Sequence, residues 1–184
     1  DMTAARPDRG GKTIPITGPA SGFGKLASEH SARLGATVFA TMRNIPRPEA
    51  EDLEKLSRDE KLDIRVRRLD VLLDDEVEKA VADAEQEIGR GLDVLVNVAG
   101  IRSYEPLAEA KAETWRRILD VNLLSYAHTA KAAPPALRPS GTARLAHISS
   151  PHRARGRPGT GPHDPPPAAA HPHTRPPAPR ADAA

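Results

Sequence analysis

The sequence predicts an α/β protein built on a doubly wound parallel sheet of about five strands. Runs rich in β-branched residues alternate with amphipathic helical patterns along the chain, and the gaps between them are short. Such alternation is typical of βαβ units. Right-handed crossovers between parallel strands then place helices on both faces of the sheet. The alternation stops after residue 150, so the predicted domain occupies residues 12–150.

The first half of this domain contains two predicted strand–helix pairs. Residues 12–17 form a short apolar strand, and residues 22–34 carry apolar side chains at helical spacing. Gly35 follows as a helix stop signal. Residues 36–42 form a second strand by their β-branched and aromatic content. Residues 48–58 form a charged helix that begins with a proline.

The second half continues the same alternation. Residues 62–69 contain a third strand, and residues 74–88 form a helix with one apolar face. Residues 92–98 form a fourth strand that is mostly apolar, as expected for a buried parallel strand. A long helical pattern covers residues 112–137, and residues 143–149 form a fifth strand.

Three prolines conflict with this assignment. Pro15 lies inside the first strand, which should be central, and a proline there removes a hydrogen-bond donor from the ladder. Pro134 and Pro135 predict that the long helix is broken near its end.

Residues 151–184 differ in composition from the rest of the chain. They contain ten prolines, eight alanines and five arginines but no Ile, Leu, Val, Met, Phe, Trp or Tyr. With nothing to bury, we predict a disordered tail. The tail carries +3 (five Arg, two Asp) against +2 for the whole chain, which leaves −1 for residues 1–150. Residues 1–11 are polar, and we predict a flexible N-terminus.

Composition also limits the classes of function. The absence of cysteine excludes disulfides and permits a reducing compartment. No apolar run approaches the roughly 20 residues of a membrane-spanning helix, and the polar N-terminus lacks the apolar core of a signal peptide. We therefore expect a soluble cytoplasmic protein without a membrane partner. The arginines of the tail have no interleaved aromatics, which argues against nucleic acid, and no metal site is expected.

Residues 17–24 (TGPASGFG) form a glycine-rich loop between the first strand and the first helix. Gly18, Gly22 and Gly24 permit a tight turn, close approach of the backbone to phosphates, and a helix start with free N–H groups. A flexible strand-to-helix turn has the same composition. The strand before the loop and the helix after it favour dinucleotide binding.

Five short motifs follow one another in a fixed order. They are TGxxxGxG at 17–24, LDV at 69–71, NVAG at 97–100, VN at 121–122 and ISS at 148–150. In order and spacing they resemble the short-chain dehydrogenase/reductase family, over about residues 12–150. The resemblance implies a Rossmann-like fold, incomplete relative to the family, and hydride transfer on a carbonyl or secondary alcohol. It also implies a homo-oligomer, since the family commonly buries the long helix in a subunit interface. In this chain the same helix would expose apolar surface.

The resemblance assigns cofactor-binding roles to residues in three places. The pyrophosphate loop would consist of Thr17, Gly18, Ser21, Gly22, Phe23 and Gly24. Asp70 and Val71 would contact the adenine ring. The end of the fourth strand would line the cofactor through Asn97, Ala99 and Gly100, with Val98 where the family usually has a second Asn.

Two residues match the family's catalytic positions. Asn122 would support a proton-relay water, and Ser150 would hydrogen-bond the substrate oxygen. Structural roles remain open for these residues and for Asp70: Asp70 as a strand-end cap, Asn122 as a polar helix residue, and Ser150 as a turn residue.

The family's Tyr-x-x-x-Lys pair is absent from this sequence. In the family the lysine lowers the tyrosine pKa, which suits the phenol to acid–base work. Thirteen residues after Ser150 stands His163, and four further stands Pro167. The only tyrosines, Tyr104 and Tyr126, precede Ser150 and lack a lysine four residues on. We hypothesise a shifted reading frame near codon 151, with the missing motif in another frame.

The region after the second strand bears on the choice of cofactor. An acid about 20 residues past the first glycine accepts from the ribose hydroxyls of NAD. Here the sequence reads FATMRN, with Arg43 and no acid. A guanidinium suits a 2′-phosphate by charge and geometry, so NADP is favoured over NAD. Arg43 as an ordinary solvent-facing charge is the alternative.

Three functions stay open at this point. The chain is an NADP-dependent oxidoreductase with a small-molecule substrate, impaired or inactive without the Tyr-Lys pair. Alternatively, it is a catalytically dead NADP-binding protein. The third possibility is an interaction protein that works through its Pro-rich basic tail.

Overall fold

The computed structural model describes residues 11–106, 108–137 and 143–148. The predicted tail over 151–184, the candidate Ser150 and residues 1–10 of the predicted N-terminal segment lie outside this range. Within the described residues, none of the helices has the length and apolar character needed to cross a membrane.

The predicted parallel sheet is confirmed. Its strands are β1 (Thr13–Thr17), β2 (Thr37–Met42), β3 (Ile64–Arg68), β4 (Val94–Asn97) and β5 (Arg144–His147). The spatial order is β3-β2-β1-β4-β5, and all recorded pairings are parallel. Because β4 lies on the side of β1 opposite β2, the direction of strand addition reverses between β1 and β4.

Helices cover both faces of this sheet. They are α1 (Gly22–Arg33), α2 (Pro48–Asp59), α3 (Asp74–Ile88), α4 (Ala112–Leu119) and α5 (Ser125–Leu137). A π-helical segment, Asp120–Leu124, joins α4 to α5. The helix over 74–88 has the predicted bounds, and the other elements differ from prediction by a few residues at their ends.

The side chains of β2 show how the two cores are separated. Val38 and Ala40 lie in one core with Leu53 of α2. Phe39, between them in sequence, lies in a second core with Val81 of α3 and Ala133 of α5. Successive side chains of a strand point to opposite faces, so one buried strand contributes to both cores. This confirms the doubly wound arrangement.

The helix that ends the long helical pattern is not broken at Pro134 and Pro135, so that prediction is wrong. α5 continues through both prolines. Each proline removes one backbone hydrogen bond from the helix, but this turn is held by tertiary contacts. Ala136 is 1% exposed, and its carbonyl accepts a hydrogen bond from the Leu92 N–H at 2.8 Å. The interruption of the long pattern lies instead at the π-helical segment.

Pro15 lies in the central strand, and the sheet accommodates it on one side. β1 pairs with β2 along all of its residues but with β4 only at Ile16 and Thr17. Ahead of that point, the Thr13 N–H donates to the Asp93 carboxylate at 2.9 Å. A side-chain acceptor therefore takes the place of a ladder partner beside the proline.

Asp93 is a buried, ionised carboxylate at this position. It is 5% exposed and receives hydrogen bonds from Lys12 Nζ and an Arg90 guanidinium nitrogen, both at 2.9 Å. Burial by itself raises the pKa of Asp93, but hydrogen bonds from Lys12, the Thr13 N–H and Arg90 outweigh it. The pKa therefore lies below its ordinary value.

The end of α4 and the π-helical segment expose apolar side chains. Leu119, Leu123 and Leu124 are 50%, 65% and 46% exposed. The expected apolar surface on the long helical region is therefore present.

Candidate functional site

The strand order brings the carboxyl ends of β1 and β4 side by side. In open α/β sheets, ligands bind beyond the carboxyl ends of the strands at the point where strand order reverses. Thr17 and Asn97 end these two strands and are register partners. The motifs that begin at these two residues are therefore adjacent in space.

Thr17 connects the two loops that leave these strands. Its Oγ1 accepts hydrogen bonds from the N–H groups of Val98 and Ala99, at 3.1 and 3.2 Å. Its own hydroxyl donates to Oδ1 of Asn97 at 3.4 Å. Thr17 and Asn97 are 3% and 1% exposed. Because water has little access, these bonds are strengthened by the low local dielectric.

Two glycines of the loop are required by close backbone contacts. A Cβ atom on Gly18 would lie 2.7 Å from the Cα of Ala99. A Cβ on Gly24 would lie 2.1 Å from the carbonyl oxygen of Gly18. Both distances are far inside van der Waals contact and involve backbone atoms, so no side chain fits. The loop is thereby packed against the end of β4, and α1 against the loop.

The third glycine borders open space at the start of α1. A Cβ on Gly22 would meet no heavy atom within 4 Å. Ser21, the residue before the helix, makes no side-chain capping bond, and the first turn carries no acid. A helix N-terminus with free N–H groups attracts anions. Open space beside uncapped N–H groups fits the pyrophosphate of a dinucleotide, with Phe23 75% exposed alongside.

Asn122 lies in the π-helical segment and holds the loop that follows β4. Its Oδ1 accepts from the Ile101 N–H and its Nδ2 donates to the Ile101 carbonyl, both at 2.8 Å. A Cβ on Gly100 would lie 3.4 Å from this Oδ1, so the glycine leaves room for the amide. π-helical turns recur at functional sites. The structure therefore brings Asn122 to the loop that carries Ala99 and Gly100.

Asp70 and Val71 follow β3 and are engaged in local contacts. The Asp70 carboxylate accepts from the Leu72 N–H at 3.1 Å, and its backbone N–H donates to the Glu76 carboxylate at 3.0 Å. The Val71 carbonyl contacts His128 Nδ1 at 3.1 Å. The strand-end capping role of Asp70 is therefore present, and any contact with adenine would be additional.

Arg43 directly follows β2, at the carboxyl end of the sheet, where the glycine loop also begins. Thr41 of β2 is the register partner of Thr17, and Arg43 follows two residues later with an exposed side chain. The nearby Arg47 is already paired with Glu49 by two bonds of 2.7 and 3.0 Å.

Comparison with known proteins assigns this arrangement to a family. The model of the short chain dehydrogenases matches residues 12–162. The chain belongs to this family. The match includes every motif named above and continues beyond Ser150, which lies outside the described residues.

Individual relatives agree with this assignment. A tropinone reductase homolog from Arabidopsis thaliana is 31% identical over 143 residues, which cover 76% of this chain and 52% of that protein. D-beta-hydroxybutyrate dehydrogenase from Rhizobium meliloti is 31% identical over 144 residues, 77% of this chain and 54% of that protein. The chain spans about half the length of the curated relatives it matches.

Solved structures of other proteins share the fold of this chain. An actinorhodin polyketide ketoreductase with NADPH has a TM-score of 0.73 at 27% identity, covering 82% of this chain and 57% of that chain. A Serratia marcescens short-chain dehydrogenase/reductase variant has a TM-score of 0.75 at 24% identity, covering 83% and 61%. The Rossmann-like fold is thereby confirmed. The family is one of oxidoreductases that bind nicotinamide dinucleotides.

The family motifs did not reveal one part of this site. Nδ2 of Asn97 donates to Thr129 Oγ1 at 2.5 Å and contacts His147 Nδ1 at 3.1 Å. The His147 ring stacks on Tyr126, with ring centroids 5.0 Å apart. The available signal was indirect: His147 directly precedes the ISS motif, and Tyr126 and Thr129 lie on one helix face.

Proposed function

We propose that this chain binds NADP(H) as the cofactor-binding part of a short-chain dehydrogenase acting on a carbonyl or secondary alcohol. The observation that carries the proposal is the loop of residues 17–24. It is fastened to the end of β4 by Thr17 and the Gly18–Ala99 contact, and it leads into an uncapped helix N-terminus. When bound, the nicotinamide ring supplies or accepts the hydride of the reaction.

The loop would hold the pyrophosphate through backbone N–H groups and the short side chains beside them. The proposed contacts come from Thr17, Gly18, Ser21, Gly22, Phe23 and Gly24. Because Gly18 and Gly24 have no room for side chains, the backbone itself forms this surface. Asn97, Ala99 and Gly100 would line the nicotinamide end, and Asp70 and Val71 the adenine.

The preference for NADP over NAD rests on Arg43. Its exposed side chain directly follows β2, whose end is in register with the end of β1, where the glycine loop begins. A charged, forked donor stabilises a phosphate better than an uncharged ribose. One structural relative was solved with NADPH, which supports this choice.

We also propose that turnover is impaired. The sequence places His163 and Pro167 where the family pair Tyr-x-x-x-Lys is expected after Ser150. Without that pair, Ser150 and Asn122 are the remaining matches to catalytic positions, and the Asn122 amide is committed to Ile101. A catalytically dead NADP-binding protein is therefore the second candidate. A cytoplasmic location, which a chain without cysteine permits, belongs to the same proposal.

Binding and turnover can be measured separately. Isothermal titration with NADPH and NADH tests binding, and oxidation of NADPH in the presence of a panel of aldehydes and ketones tests turnover. We expect NADPH to bind more tightly than NADH, with little or no oxidation. Rapid oxidation would overturn the proposed impairment, and failure to bind either nucleotide would overturn the proposed function. Translating the encoding DNA in all frames after codon 150 tests the frame-shift hypothesis.

A further inference from the structure

The polar network around Asn97 fixes where each of its hydrogens lies. Thr17 Oγ1 already accepts from two backbone N–H groups, so its own hydrogen needs an acceptor. The atom within reach is Asn97 Oδ1, at 3.4 Å. This determines the orientation of the amide: its oxygen faces Thr17 and its NH₂ faces the other way.

The two hydrogens of the Asn97 NH₂ group then need two acceptors. One is Thr129 Oγ1 at 2.5 Å, whose own hydrogen is directed at the backbone carbonyls of Ser125 and Tyr126 at 3.2 and 3.0 Å. The other is His147 Nδ1 at 3.1 Å. This nitrogen can accept only while it carries no proton. The network therefore requires a neutral imidazole whose proton is on Nε2.

From this accounting we infer that His147 is a pH-sensitive positioning residue for the nucleotide loop, acting through Asn97 and Thr17. The inference rests on the proposed nucleotide function. Protonation of Nδ1 places two N–H donors against each other. Asn97 is 1% exposed, so the displaced N–H has no water to bond. The Asn97 amide is then displaced from its hydrogen bond with Thr17. Thr17 Oγ1 in turn holds the N–H groups of Val98 and Ala99 beside the glycine loop.

The groups packed against His147 are neutral, so a change of charge at this place comes from a proton on Nδ1 of the imidazole. From β4, the neutral Asn97 amide faces the ring. From α5, the Tyr126 ring stacks on it. The Tyr126 hydroxyl donates to the Ile148 carbonyl at 3.0 Å, and burial raises the pKa of Tyr126, so the phenol stays neutral. Among the described residues, no acid forms an ion pair with His147. Its side chain is exposed, so the ring exchanges protons with solvent.

Two variants separate the effect of the hydrogen-bond acceptor at Nδ1 from the effect of its protonation. His147→Asn carries a side-chain oxygen at the position of Nδ1, an acceptor that does not titrate. His147→Phe keeps an aromatic ring against Tyr126 and has no acceptor. NADPH affinity is measured for wild type and both variants at pH 7.5 and pH 5.5. The 2′-phosphate of NADPH also titrates near pH 6, and it does so equally for all three proteins.

We expect the wild-type Kd to rise between pH 7.5 and 5.5 by roughly fivefold more than that of His147→Asn, the scale of one lost hydrogen bond. His147→Phe should bind more weakly at pH 7.5 and follow the pH response of His147→Asn. Equal pH responses in wild type and His147→Asn would overturn the inference.

A second readout requires no nucleotide. Nitrogen-15 NMR of the His147 ring at pH 7.5 should show the proton on Nε2, and the Asn97 NH₂ signals should shift as His147 titrates. A proton on Nδ1 would overturn the inference even if NADPH binds. If NADPH does not bind at all, the proposed function fails, and the NMR result alone decides the role of His147.

Discussion

Gly18 and Gly89 have the same backbone conformation, but Gly18 is packed against other backbone atoms and Gly89 borders open space. Their φ angles are +70° and +71°, in the left-handed region that favours glycine. A Cβ on Gly18 would lie 2.7 Å from the Cα of Ala99, whereas a Cβ on Gly89 would meet no heavy atom within 4 Å. The two glycines therefore separate the cost of an unfavourable φ from the cost of a steric clash.

Replacing each glycine with alanine tests whether the loop is packed as described. Gly89→Ala should cost about 1 kcal/mol of unfolding free energy, from the left-handed backbone alone. Gly18→Ala should cost about 1–3 kcal/mol more, because the methyl group overlaps backbone atoms of Ala99. Urea denaturation measures both. Equal losses for the two variants would mean that Gly18 does not contact the end of β4.

The Asn122–Ile101 pair yields a local prediction. Asn122→Ala removes both 2.8 Å bonds to the Ile101 backbone, and we expect a loss of about 1–2 kcal/mol in stability. The Ile101 amide should exchange with solvent markedly faster, as measured by hydrogen-exchange NMR. Asn44→Ala, at an exposed position after β2, is the matched control. Unchanged exchange at Ile101 would show that the two Asn122–Ile101 hydrogen bonds do not form in solution.

The fold was predictable where the signals were local. The apolar periodicity of residues 74–88 predicted a helix whose bounds match α3, and alternating apolar runs predicted the parallel strands. The prediction failed at Pro134 and Pro135 because the turn that holds them is stabilised by burial and by a hydrogen bond from Leu92, far away in the chain. A local helix-breaking rule contains no information about such a contact.

The candidate site was likewise predictable where its signals were local motifs. The motifs at Thr17 and Asn97 placed two loops at one edge of the sheet, and strand order brought them together. The contact between Asn97 and His147 joins residues 50 positions apart and belongs to no motif quoted from the sequence. Only the register of β4 against β5, which pairs these two residues, reveals it.

Arg43 provides a test of cofactor preference. If its guanidinium binds the 2′-phosphate, Arg43→Ala should weaken NADPH binding by about 10- to 100-fold, the range of a charge-assisted hydrogen bond. The NADH affinity should change little. Arg58→Ala removes the same charge from an exposed position on α2 and controls for net charge. Parallel loss of NADPH and NADH affinity in Arg43→Ala would assign Arg43 a general electrostatic role instead.

Asp93 should make stability depend on pH in the acid range. Its pKa in the folded protein is held below the ordinary value, so its stabilising contribution is fully present above the unfolded value of about 4. The contribution is lost as the pH falls through the lower folded value, because the protonated acid no longer pairs with Lys12 and Arg90. Stability should therefore fall steeply below about pH 4.

The variant Asp93→Asn isolates this effect. It keeps an acceptor for the Thr13 N–H but removes the charge that faces Lys12 and Arg90. We expect a loss of about 2 kcal/mol at pH 7 and a flatter stability curve between pH 5 and 3, both from urea denaturation. Asp83→Asn, which disrupts an exposed pair with Lys79, should change stability by less than about 1 kcal/mol. If Asp93→Asn keeps the wild-type acid dependence, another carboxylate governs it, and the role of Asp93 beside Pro15 is that of a neutral acceptor.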